Sequence, residues 1–399
     1  MGRFHLQQKE RRIRLVYFDN AATTQPCPEA VQAVTEALEH GWGNPSSLHS
    51  FGLAAQKRVD GARAELAAAL GALPEEIVFT SCATESTSLA LLGCARTYGR
   101  RKRKLVISGV EHPATAATAQ RLEEDGFTVV RIAPENGMVS PARFAEAVDD
   151  ETFLVSCMLV NNETGAQLPA AEIFAAVKRK NPTVVTHCDA VQGFLKQALR
   201  VKQLDADLIS VSGHKVYAPK GVGALFVKKG IRLAPVLLGG GQERGLRSGT
   251  EAVPLIAGFG AAVKALRATV EERDAAVRGC NAYLRSRLAE LDGVRIHSDE
   301  TASPYILSIG VKNMKAEPLL HFLAQSKIYV SSGSACAKGK KSGVLEAFGI
   351  NAAYLDSTIR VSFSHQNTRA DCDALCDALT RAMQTLCGIR QTPHSNRKD

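Results

Sequence analysis

Lys215 ends the run Leu208-Ile209-Ser210-Val211-Ser212-Gly213-His214-Lys215, in which an apolar stretch gives way to small polar residues. A lysine just past a strand end is placed to meet a ligand, and its amine can form a Schiff base where the surroundings lower its pKa. The competing reading is a loop lysine that solvates the surface. Val184–His187 runs into Cys188-Asp189-Ala190, which sets a carboxylate at the end of a buried segment. A buried carboxylate must be paired or hydrogen-bonded. The protonated ring nitrogen of pyridoxal phosphate would suit it, and so would a role capping the next helix.

Phe79-Thr80-Ser81-Cys82-Ala83-Thr84 is a strand entering a helix through small residues. Backbone N–H groups at such a helix start, with the Thr84 hydroxyl, make an anion cradle, or the segment is an ordinary helix cap. Leu105–Ser108 leads to Glu111-His112-Pro113, which puts an imidazole at another strand end or simply at a helix start. Val330-Ser331-Ser332-Gly333-Ser334-Ala335-Cys336 carries a cysteine in a small-residue loop, followed by Lys338, Lys340 and Lys341. Nearby cations favour thiolate over thiol. The alternative of a buried, inert cysteine fits Cys94 and Cys157, on apolar elements, better than Cys336. Gly239–Thr250 holds five glycines in twelve residues, which fits either a flexible segment or a loop packed close to a ligand or a partner subunit.

Short β-rich runs must position these residues. They are Ile77–Thr80, Leu105–Ser108, Thr128–Ile132, Phe153–Leu159, Val184–His187, Leu208–Ser212 and Ala224–Val227, and between several of them lie helical stretches such as Thr84–Tyr98, Ala114–Asp125 and Ala170–Lys180. The alternation predicts an α/β fold with a mostly parallel seven-stranded sheet and helices on both faces, whose ligands collect at the carboxyl ends of the strands. A long helical pattern follows over Val253–Leu291. Then come strands near Val294–His297, Tyr305–Gly310, Ile328–Val330 and Thr358–Phe363, a helix over Glu317–Gln325 and a last helix over Arg369–Leu386. We expect a large domain over 15–258, a smaller α+β domain over 259–388 that takes in part of the N-terminal segment, and flexible ends at 1–14 and 389–399.

The 399 residues are 45% hydrophobic and 22% charged, close to an ordinary globular protein with a sizeable core. The net charge of +9 concentrates in the first fourteen residues, in Arg100–Lys104 and in Lys338–Lys341. Such runs are read as solvated loops, with a basic nucleic-acid-binding protein as the rival from a different class. Ten cysteines show no CxxC spacing. The N-terminus has no secretory apolar region, and Leu6 stands where myristoylation would need Ser or Thr. Together these predict a reducing, cytoplasmic setting without a membrane.

In order along the chain, Tyr17–Thr24 (YFDNAATT), Gly43–Ser47, Phe79–Ser86, Asn161–Gly165 (NNETG), Ser212–Lys215, the glycine-rich segment ending Arg247-Ser248-Gly249-Thr250, and Ser331–Cys336 resemble the cysteine desulfurases of the class V aminotransferase superfamily. The resemblance covers residues 15 to 385. It implies a type I pyridoxal-phosphate fold working as a homodimer, with L-cysteine converted to L-alanine and the sulfur carried on Cys336 as a persulfide. By that resemblance Lys215 holds the cofactor, Asp189 pairs with its pyridine nitrogen, and His112 stacks on the ring as a candidate acid/base. Asn162 and Gln192 contact the ring and its phenolic oxygen. Ala83, Thr84, Ser212 and His214 hold the phosphate, with Thr250 reaching in from the other subunit. Arg360, helped by Asn162, grips the substrate carboxylate, a bidentate task suited to guanidinium.

The implied partners are a sulfur-accepting protein, such as an iron–sulfur scaffold or a tRNA-thiolation protein. No intrinsic metal is expected beyond transient ligation of an iron–sulfur cluster by Cys336. A selenocysteine lyase or another enzyme of the superfamily is the near alternative. Two positions depart from the pattern. Cys82 stands where most relatives would have glycine, and the segment from Cys336 to Val344 is short and lysine-rich, which leaves the sulfur acceptor open.

Overall fold

A computed structural model describes residues 15–135, 137–333 and 343–388, with side chains as far as Leu386. The central sheet has seven strands in the order Ile77–Thr80, Gly223–Val227, Leu208–Ser212, Val185–Asp189, Thr152–Ser156, Lys104–Ser108, Thr128–Ile132. Gly223–Val227 runs antiparallel to both neighbours, and all other pairings are parallel. The expected α/β architecture is therefore the observed one.

The strands read as apolar, β-branched runs because helices cover both faces of the sheet. Every residue of Thr152–Ser156, Val185–Asp189, Leu208–Ser212 and Gly223–Val227 is buried. Thr128–Ile132, the last strand of the sheet, is only partly covered, with Thr128 and Arg131 exposed. The helix Ala170–Lys180 turns Ile173, Phe174 and Val177 inward. It ends on Lys178, Arg179 and Lys180, whose charge complements the negative end of its dipole.

A second sheet joins Ser331–Ser332, Thr358–Ser362, Ile306–Val311 and Val294–Ile296. Val16–Tyr17 pairs in parallel with Ile328–Tyr329, and Asp19 bridges to Ser362, so the N-terminal segment is stitched to this part of the fold. The helix Val253–Arg267, in which the expected domain boundary falls, packs on the helices Pro28–His40 and Ser50–Leu70. Among the described residues no single helix is long and apolar enough to cross a membrane.

The helical pattern expected over Val253–Leu291 is two helices, Val253–Arg267 and Val270–Ala289, bent by 75°. Arg273 accounts for the break. Its buried guanidinium donates to the Leu266 carbonyl at 2.8 Å and the Leu195 carbonyl at 3.2 Å, and its Nε to Thr269 Oγ1 at 3.2 Å. It thus satisfies an end carbonyl of the first helix, while Glu271 and Glu272 favour a new helix start.

The basic run Arg100–Lys104 is engaged with its own fold. Lys104 pairs with Asp149 at 2.8 Å, Lys102 donates to Thr183, and Arg103 lies 4.3 Å from the centre of the Phe127 ring.

Candidate active site

Because Ile77–Thr80, Lys104–Ser108, Thr152–Ser156, Val185–Asp189 and Leu208–Ser212 share one direction, their carboxyl ends open on the same side of the sheet. A cavity of about 350 Å³ lies there. Its walls take Cys82, Ala83 and Thr84 from the first strand end, His112 from the second, and Met158 and Asn162 from the third. The fourth and fifth supply Asp189 and Gln192, then Ser212, His214 and Lys215. Arg360 enters from the second sheet.

Lys215 Nζ donates to the carbonyls of Ala21 and Ala22, both at 2.7 Å. These carbonyls belong to the segment Asp19–Thr24, which ties the two sheets together: Asp19 pairs with Arg360, and Thr24 donates through N and Oγ1 to the His214 carbonyl. Asp189 is buried, and burial raises its pKa against the pull of His112, of the Val191 N–H (3.0 Å) and of Lys215. Burial lowers the His112 pKa; Asp189 opposes that shift and Lys215 adds to it. His112 Nδ1 accepts from the Ala114 N–H at 3.1 Å, so the proton of the neutral ring sits on Nε2. Burial, then Lys215 and further lysines, lower the His214 pKa to about 4.

The helix Ala83–Tyr98 begins at Cys82 without a side-chain cap, so N–H groups of its first turn are left for a ligand. Gly223 makes this possible. A Cβ there would meet the Cys82 carbonyl carbon at 2.7 Å and the Ala83 nitrogen at 3.0 Å, so only glycine lets the antiparallel strand back the turn so closely. Ser212 Oγ, beside this turn, is buried without a hydrogen-bond partner among the described residues. An uncapped helix start with an orphaned hydroxyl suits a phosphate; an amine and a buried carboxylate in the same cavity suit an aldehyde and a ring nitrogen. The donor set fits pyridoxal phosphate.

Arg360 lies on Thr358–Ser362, buried on every residue. It donates to Asp19 Oδ1 at 3.0 Å and to the Asn162 carbonyl at 2.8 Å, while its Nε has no partner among the described residues. Ser331 lies opposite Arg360 in the second sheet.

The residues expected from sequence fall into three groups. Ala83, Thr84, His112, Asn162, Asp189, Gln192, Ser212, His214, Lys215 and Arg360 border the one cavity. Thr250 does not: it borders a separate pocket with Thr80, Ser81 and Arg247, on a glycine-rich segment anchored by a buried pair of Arg63 and Glu243. Cys336 lies outside the described residues. Sequence reasoning gave no role to Asp19, Ala21 and Ala22, although it singled out their segment, and it overlooked Thr87, Met158 and Lys196. Cys82 does line the cavity.

Comparison with known proteins agrees with this architecture. The family profile "Aminotransferase class-V" matches residues 16–375. A cysteine desulfurase of Trichormus azollae is 38% identical over 383 residues, covering 94% of each chain. A solved structure titled "NIFS-LIKE PROTEIN" superposes with a TM-score of 0.88 at 34% identity, covering 93% of this chain and all of that one. "SspA in complex with cysteine" superposes with a TM-score of 0.77 at 31% identity, covering 88% of this chain and all of that one. This chain belongs to the class-V aminotransferase family, among its cysteine desulfurases.

Proposed function

We propose that this protein is a pyridoxal-phosphate-dependent cysteine desulfurase that converts L-cysteine to L-alanine and passes the sulfur through Cys336 to an acceptor protein. The observation that carries the reading is one cavity holding the Lys215 amine, the buried Asp189 carboxylate, an uncapped helix start and the Arg360 guanidinium. When bound, pyridoxal phosphate supplies an electron sink for the bond changes at the substrate's α-carbon.

The chain's own residues do the rest. Lys215 is the amine that holds the cofactor and then takes and returns the proton at the α-carbon. Asp189, in its buried setting, would hold a proton on the cofactor's ring nitrogen. Ala83, Thr84, Ser212 and His214 hold the phosphate. The neutral His112 ring presents Nε2–H to the site and can hand over that proton. Arg360, fixed by Asp19 and the Asn162 carbonyl, orients the substrate carboxylate with its remaining N–H groups.

In the sulfur step, the Cys336 thiolate attacks the substrate sulfur. A sulfur–sulfur bond forms as the substrate carbon–sulfur bond breaks, and the bonding electrons stay with the carbon fragment, which gains a proton to become alanine. The sum, cysteine plus thiol giving alanine plus persulfide, balances without an external oxidant.

Trp42, Leu48, Leu53, Leu237 and Leu238 are exposed apolar side chains that a second copy of the chain could cover. In such a homodimer Thr250 would serve the partner's phosphate. Eight described cysteines are free, in keeping with a reducing compartment.

Mass spectrometry of the Cys336 peptide after exposure of the loaded enzyme to L-cysteine tests the reading. A gain of one sulfur atom on Cys336 is expected. Sulfide release that persists undiminished in Cys336→Ser would contradict it.

A further inference from the structure

Lys196 is buried, and nothing in the reaction above uses it. Its ammonium donates to Gln192 Oε1 at 2.7 Å and lies 5.8 Å from the centre of the Tyr305 ring. Burial, Lys215 and Arg360 all disfavour its charge and pull its pKa down to about 7. A methionine would fill the same space without that cost.

The partners of Gln192 say what the lysine does. The amide is buried and lines the cavity. Its Nε2 donates to the Ala21 carbonyl at 3.0 Å, the same carbonyl that receives Lys215 Nζ. In its charged form, held below a pH of about 7, Lys196 can only donate, and the Ala21 carbonyl can only accept. Flipping the amide would set its NH2 against an ammonium and its oxygen against a carbonyl oxygen. The two neighbours therefore fix one orientation, which leaves the second Nε2 hydrogen as the group Gln192 can offer a ligand.

We propose that Lys196 is a positioning residue that occupies Gln192 Oε1, locks the amide, and so makes the cavity present a hydrogen-bond donor to an anionic ring oxygen of the bound cofactor. The inference rests on the pyridoxal-phosphate reading given above. A donor at that oxygen stabilises its anion, so losing it lets the chromophore keep its proton to higher pH.

The test is a pH titration of the visible absorbance of the loaded protein, without substrate, in the wild type, Lys196→Met and Lys196→Ala. Both variants should move the midpoint upward by about one pH unit, the effect of losing a hydrogen bond to a charged group. Gln192→Leu should do the same, and adding Lys196→Met to it should shift the midpoint no further, because one acts through the other. The apoproteins of all three single variants should bind pyridoxal phosphate about tenfold more weakly. An unchanged midpoint in Lys196→Met overturns the inference. So does a shift in Lys196→Ala alone, which would mark a packing effect, or a shift that adds to that of Gln192→Leu. A wild-type protein that takes up no chromophore would instead overturn the parent reading, and this inference with it.

Discussion

Arg360 and Asp19 form an ion pair of 3.0 Å between positions 341 residues apart in the chain. Arg360 is nearly fully buried, and the Asn162 carbonyl takes a second of its N–H groups. The guanidinium is thus aimed before any substrate arrives, and Asp19 is the group that aims it. Asp19→Asn should raise KM for L-cysteine about tenfold with a smaller change in kcat, the scale of weakening one charge-assisted hydrogen bond. Arg360→Lys should lose roughly tenfold to a hundredfold in kcat/KM, since an ammonium cannot keep both restraints and grip a carboxylate. Steady-state kinetics check both, and the yellow colour of the loaded enzyme should survive in each.

Glu111 gives a pH dependence of stability. Burial raises its pKa from 4.5 to about 7, although Ser108 Oγ at 2.5 Å and the Met158 N–H at 2.8 Å both donate to Oε1. A carboxyl whose pKa is raised on folding stabilises the fold while it stays protonated, below its unfolded value. That contribution is lost as pH rises through the folded value. Wild-type Tm should therefore fall as pH is raised from 4.5 through about 7. Glu111→Gln should flatten that part of the profile, as thermal melts across the range would show. An equally steep fall in Glu111→Gln would contradict the assignment.

The glycine-rich segment is held by charge. Arg63 makes two bonds to Glu243, at 2.7 and 2.8 Å, and Glu243 also accepts from the Phe79 N–H. Both side chains are largely buried. Arg63→Met leaves a carboxylate buried without its cation and should cost about 3–5 kcal/mol in denaturant unfolding. Replacing both members with apolar residues should cost less than replacing Arg63 alone.

The strands of the main sheet were legible in sequence as short apolar runs, most of them β-branched; Gly223–Val227, with a single β-branched residue and Lys228-Lys229 after it, was legible from its apolar run alone. Asp189, His112 and Lys215 could be singled out because each stands at or a few residues past the end of such a run. The break at Ala268–Thr269 was not legible, because Arg273 bonds back to Leu266 and Leu195 only once the helices have packed. Nor were the partners of Arg360 and Lys196, whose meaning depends on the Asp19–Thr24 segment crossing between the sheets. The helices Pro28–His40 and Ser50–Leu70 did carry local signals, a proline at the first turn of one and left-handed Gly71 closing the other.

Lys215 is the residue on which the account depends. Lys215→Ala should fold with an unchanged far-ultraviolet spectrum, bind pyridoxal phosphate without giving the yellow chromophore of the wild type, and make no alanine.

The most direct test of the central claim is the alanine formed from L-cysteine by the purified protein loaded with pyridoxal phosphate, measured with a reducing thiol present to turn over the persulfide. The account predicts one alanine for each sulfide released, and none from Lys215→Ala. A protein that stays colourless with pyridoxal phosphate, or that colours and forms no alanine from L-cysteine, would contradict it.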